Sequence, residues 1–147
     1  MTELPPALHE QIKRLCADGD RLASRGLHEQ AIATYNDAWS LMPEPATDWE
    51  ASTWVLAAIG DAAFAGGFWT CGIDALQCAL HCPAGATNPF VQLRLGQCQF
   101  ERKQLDDAAG HLTRAYMLEG KDIFARENPK YFGFLQTRLE PPASGQW

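Results

Sequence analysis

The sequence predicts an all-α domain of three consecutive helix–turn–helix pairs followed by one more helix. Three observations carry this. Apolar residues recur at three- and four-residue steps through most of the chain, the signature of helices with one buried face. Gly and Pro fall between those stretches, at Gly26, Pro43 and Pro45, Gly66-Gly67, Pro83, Gly120 and Pro129. And Gly19, Gly60 and Gly96, spaced 41 and 36 residues apart, head similar patterns of small and large residues.

The first pair is the best formed. Leu8, Ile12, Leu15, Leu22 and Ala23 mark a helix from Ala7 to about Arg25, ended by Gly26. A second runs from about His28 to Met42, with Ala31, Ile32, Tyr35, Ala38 and Trp39 on its inner face, and Pro43-Glu44-Pro45 stops it. Thr47 or Asp48 is expected to cap the third helix, which continues through Trp54, Leu56, Ile59 and Phe64 to Gly66-Gly67. A fourth is expected from about Trp69 to Cys82. Asn88 before Pro89 starts a fifth, to about Arg102. A sixth spans about Leu105 to Glu119. A short helical turn after Asp122 and a final helix from Pro129 to Leu139 complete the pattern, and no stretch alternates as a strand would. Residues 1–6 are expected to form a leader, 7–139 one domain and 140–147 a tail.

The small positions have a physical reason. Gly19 and Ala31 are expected where the two helices of a pair approach, with Leu15 and Tyr35 filling the space beside them. Ala38 leaves room for the next pair to stack. Each pair alone exposes an apolar face that stacking buries. In the third pair Leu95, Gly96, Ala108, Leu112 and Ala115 follow the pattern, whereas Gln99 and Lys103 depart from it.

This arrangement of Leu15, Gly19, Leu22, Ala31, Tyr35, Ala38 and Pro43 resembles the tetratricopeptide repeat. The resemblance implies a short right-handed solenoid with repeats at about 12–45, 53–86 and 89–120 and a cap at 122–139. It also implies a concave face built from the first helix of each pair. Groove positions would then be Lys13, Cys16, Asp20 and Ala23; Trp54, Ala57, Asp61 and Phe64; Phe90, Leu93, Gln97 and Phe100. Lys13, Asp20, Trp54, Asp61, Phe90 and Gln97 are the candidate partner-binding residues, because aromatic rings and carboxylates together suit a basic protein surface. The same spacing leaves open that Phe64, Leu93 and Phe100 are core between pairs, and that Asp20 and Asp61 are simply solvated. Peptide-clamping members of the family hold a C-terminal carboxylate with Lys and Asn. Cys16, Asp20, Ala57 and Asp61 stand at those positions here and would repel it.

A net charge of −6 and a pI near 5.1 argue against nucleic acid or an anionic membrane as partner. The apolar run Trp54–Gly67, interrupted by Asp61, is too short and polar to span a bilayer. MTELPPALHE lacks a basic and then apolar signal region, so a cytoplasmic location is expected. Five cysteines, including Cys78 and Cys82 one helical turn apart near Cys71 and His81, read as free thiols rather than a metal site. No metal, no cofactor and no catalytic constellation is expected. His28-Glu29 lacks the second histidine of a zinc-protease motif.

Several phrases go beyond repeat spacing: Trp49-Glu50-Ala51-Ser52-Thr53-Trp54, Ala57-Ala58-Ile59-Gly60-Asp61-Ala62, Asn88-Pro89-Phe90, Leu93-Arg94-Leu95-Gly96-Gln97-Cys98 and Ala115-Tyr116-Met117-Leu118-Glu119-Gly120. They resemble a bacterial group of small tetratricopeptide proteins encoded beside polymorphic or Rhs-type toxin loci. That resemblance implies an immunity protein that neutralises a basic, nuclease-like toxin by direct binding. The alternative is a general scaffold, adaptor or co-chaperone that binds a peptide segment of a partner or secreted effector.

Overall fold

The computed structural model describes residues 3–147; Met1 and Thr2 of the expected leader lie outside them. Among the described residues seven α-helices form: α1 (Pro6–Ser24), α2 (His28–Ser40), α3 (Glu50–Gly66), α4 (Trp69–Ala79), α5 (Pro89–Glu101), α6 (Leu105–Glu119) and α7 (Pro129–Arg138). Short 3-10 turns cover Ala46–Asp48 and Lys121–Phe124, and no strand occurs among the described residues. Each of α1 to α6 packs on the next in sequence, and α3 also packs on α5. No helix among the described residues is long and apolar enough to cross a membrane.

The helix starts follow from local chemistry. The Asn88 side chain accepts hydrogen bonds from the backbone N–H of Phe90 and Val91 at 2.9 and 3.2 Å, with Pro89 next in line. Asn128 and Pro129 repeat the arrangement at α7. The start of α3 departs from expectation. Neither Thr47 nor Asp48 caps it; α3 begins at Glu50 after the separate 3-10 turn. Ser52 instead donates its hydroxyl to the carbonyl of Ala46 at 2.5 Å, and the Trp49 indole N–H donates to the carbonyl of Pro43 at 2.8 Å. These two bonds tie the linker down where a side-chain cap was expected.

The three pairs close alike. At the end of the first helix, Gly26, Gly67 and Lys103 all take a left-handed conformation, with φ of 77°, 80° and 64°. The residue after each donates its N–H five residues back, from Leu27 to Leu22, Phe68 to Ala63 and Gln104 to Gln99. This is the Schellman closure, which satisfies carbonyls the helix end leaves unpaired. Lys103, which departs from the sequence pattern, therefore makes the same turn without glycine.

Inside each pair the close approach also falls at one offset. A Cβ on Gly19 would stand 2.4 Å from the Tyr35 ring, on Gly60 2.4 Å from Leu76, and on Gly96 2.7 Å from Leu112. Ala31, Gly72 and Ala108 are buried at a second shared offset, and Ala38, Ala79 and Ala115 at a third. The core divides in two. One cluster runs from Ile12 through Tyr35, Val55, Ile59 and Leu76 to Leu95 and Cys98. The other, Leu93, Leu112, Phe124, Tyr131 and Leu135, fastens the C-terminal segment to α5 and α6. Leu4 of the expected leader packs on the first cluster, and Trp147 of the expected tail stands edge-on to Tyr116 and Phe132.

Candidate functional site

The first helices α1, α3 and α5 present the expected groove positions, and their chemistry differs from one end to the other. At the α5 end the dominant residue is Arg94. Its guanidinium lies between the rings of Phe64 and Phe90, 4.7 and 4.9 Å from their centroids. It donates from Nε to Asp61 at 2.9 Å, and from Nη1 to Glu127 at 2.5 Å and to Gln97 Oε1 at 2.8 Å. Gln97 completes the ring by donating from Nε2 to Glu127 at 2.7 Å. Arg94 and Glu127 are each 14% exposed, and Asp61 is 50% exposed.

This arrangement corrects part of the expected site. Gln97 is fully buried and spends both ends of its amide inside the protein, so it does not face a partner. Asp61 and Phe90 are engaged by Arg94 rather than free. The cause is the segment after α6, which the stacking scheme placed over the end of the last pair. It does pack on α6, and it also reaches α5, where Glu127 meets Arg94 and Gln97. Tyr131 then packs on both Phe64 and Phe100, with its hydroxyl donating to Glu101 at 2.9 Å. Leu93 is core, whereas Phe64 and Phe100 are half-buried and pack against the core clusters.

Arg94 and Glu127 are the residues that sequence reasoning missed. One signal was available: Arg94 is the one charged residue between Pro89 and Phe100, one turn after Phe90, where α1 and α3 carry Ala17 and Ala58.

Lys130 adds to this closure with a 2.5 Å ion pair to Glu101. Burial alone would raise the Glu101 pKa, but the hydrogen bonds from Lys130 and Tyr131 outweigh it and hold the carboxyl below its ordinary 4.5. His111, desolvated between helices and beside Arg114, is held below 6.5; its Nδ1 is 2.6 Å from Gln92 Oε1. Both groups have folded pKa values below their unfolded ones. Their stabilisation is therefore present above the unfolded values and is lost as pH falls through the folded ones. Urea midpoints are expected to decline first as pH drops below 6.5 and again below 4.5, with His111→Gln removing the upper step.

At the α1 and α3 end the face is open. Asp20 is exposed and accepts the Tyr35 hydroxyl at 2.5 Å, an interaction that, after burial, holds the phenol protonated well above its ordinary range. Lys13 is exposed and reaches only Glu10, at 3.4 Å. Trp54 is 54% exposed. It borders a cavity of about 390 Å³ lined by Glu3, Leu4, Pro6, His9, Glu10, Trp49, Glu50 and Ala51. The His9 ring meets the Trp54 indole edge-on at 6.2 Å.

The five cysteines are free thiols. Burial pushes Cys82 up to about 11 and Cys98 up to about 12, so neither is a thiolate nucleophile near neutrality. Among the described residues no group of three or more His, Cys, Asp and Glu is placed to hold a metal ion. No protein-family model matches the chain, and no curated protein is significantly similar to it.

Proposed function

We propose that this chain is a tetratricopeptide-type solenoid that works without catalysis, as a binding module for a basic protein. We further propose that the partner is a toxin domain which it neutralises, as the resemblance to small proteins encoded beside toxin genes implies. The recurring glycine contacts and left-handed turns of the three pairs support the repeat reading. The observation that carries the binding reading is the open α1/α3 face, where exposed Trp54 and Asp20 stand clear of the contacts that close the α5 end. A large rigid ring supplies contact area at low entropic cost, and a surface of net charge −6 steers a basic partner toward it.

The test is co-expression and pull-down with the product of the adjacent gene, together with rescue of growth from that product's toxicity. A complex that weakens as salt rises is expected. Asp20→Asn, which removes the charge but keeps an oxygen to accept the Tyr35 hydroxyl, should lower its affinity several-fold while leaving the fold intact. Asp61→Lys is a poorer probe, because it places a second cation against Arg94. Absence of a complex even at low salt would overturn the proposal.

A further inference from the structure

We infer that the cavity beside Trp54 is a seat for an arginine side chain of the partner. The inference rests on the binding-module reading and names the chemistry of what enters. Its basis is that the protein already shows how this face holds a guanidinium. Arg94 is stacked between two aromatic rings, with carboxylates from two different segments accepting its N–H groups. One of those rings, Phe90, stands six residues before Gly96. Trp54 stands six residues before Gly60, at the same place on the neighbouring first helix.

The two places differ one turn further on. Phe90 is followed there by Arg94, which stands over its ring, whereas Trp54 is followed by Ala58, and its indole stays half exposed with only the His9 ring meeting it edge-on. Around Trp54 the lining repeats the same kit of groups. It has a second indole at Trp49, whose ring is anchored by its N–H bond to Pro43, and carboxylates from three segments, Glu3, Glu10 and Glu50. Among the described residues that line the cavity there is no lysine or arginine; the basic groups at hand are His9 in the lining and Lys13, 3.4 Å from Glu10. A planar guanidinium suits such a place better than an ammonium. It stacks flat on an indole while presenting several N–H groups to carboxylates in its own plane, and it is the more weakly hydrated cation.

The probe is N-acetyl-argininamide, whose only cation is the guanidinium, titrated into the ¹⁵N-labelled full chain. The expected result is saturable movement of the Trp49 and Trp54 indole N–H resonances. N-acetyl-citrullinamide, isosteric but uncharged, should bind at least about tenfold more weakly, and N-acetyl-lysinamide several-fold more weakly. Trp54→Ala should weaken argininamide at least about tenfold, and Glu50→Gln should weaken it measurably while retaining the ring. Trp54 is exposed, so its replacement leaves the core untouched, and unchanged resonances elsewhere verify the fold. Equal binding of the citrulline or lysine compound, or binding unaffected by Trp54→Ala, would overturn the inference. The two proposals fail separately. Argininamide at Trp54 without any protein complex would overturn the neutralising function and keep the seat. A complex whose affinity survives Trp54→Ala would overturn the seat and keep the function.

Discussion

Replacing Arg94 by alanine is expected to destabilise the protein by about 3–5 kcal/mol, the range for removing one partner of a buried ion pair. The loss is concentrated on one arm. Asp61 is half exposed, and without Arg94 water can solvate it, so that arm is worth about 1 kcal/mol or less. Glu127 is 14% exposed and would be left with only the Gln97 amide beside it. The Gln97 oxygen would lose its donor as well, and Phe64 and Phe90 would lose the cation between them. Urea unfolding at constant pH measures each contribution. Asp61→Asn should cost little and Glu127→Ala considerably more. The triple change Arg94→Met, Gln97→Leu and Glu127→Leu should cost less than Arg94→Ala alone, because neither a buried charge nor the Gln97 amide is then stranded. A cost below 1 kcal/mol for Arg94→Ala would mean that water reaches Glu127 freely and that the segment does not depend on this ring of bonds.

The Arg94 ring also marks where sequence reasoning stops. The helix pairs were legible because their determinants are local: apolar spacing, Asn88-Pro89 at a start, Gly26 and Gly67 at ends. The close approach at Gly19 was legible for the same reason, since Gly19 and Tyr35 lie within one hairpin. Lys103 was harder to read, because a lysine in a left-handed turn has no marker in its own identity; the turn is imposed by the two helices it joins. Glu127 was not legible at all. Its partners Arg94 and Gln97 are 33 and 30 residues away, and nothing in a charged residue between two helices says which earlier helix it will reach. Gln97 misled for a related reason. Its place beside Gly96 equals those of Asp20 and Asp61, but the arrival of the C-terminal segment changes that place from surface to interior. Equivalent positions along a helical stack carry equivalent surroundings only where the neighbours on both sides are equivalent. The final pair lacks such a neighbour, and an irregular segment takes its place.

Where neighbours are equivalent, the packing is tight enough to predict a penalty from geometry. Gly60→Ala should gain about 1 kcal/mol from helix propensity, since alanine is the better helix former. The new methyl group, however, would lie 2.4, 2.5 and 2.7 Å from Cγ, Cδ2 and Cδ1 of Leu76. Leu76 is fully buried and cannot swing into solvent, so α3 and α4 must separate or Leu76 must leave its rotamer. Overpacking of this kind costs about 1–3 kcal/mol, and a net loss is expected in thermal or urea unfolding. Leu76→Ala alone should cost about 2–5 kcal/mol through the cavity it leaves. Combined, the two changes should cost less than their sum, because the added methyl partly fills the space that the leucine vacates. Gly133→Ala in α7 is the control: no atom lies within 4 Å of its added methyl, so propensity acts unopposed and the variant should be more stable by up to about 1 kcal/mol. If Gly60→Ala stabilised the protein as Gly133→Ala does, α3 and α4 would have slack between them, and the glycine would not be what sets their separation.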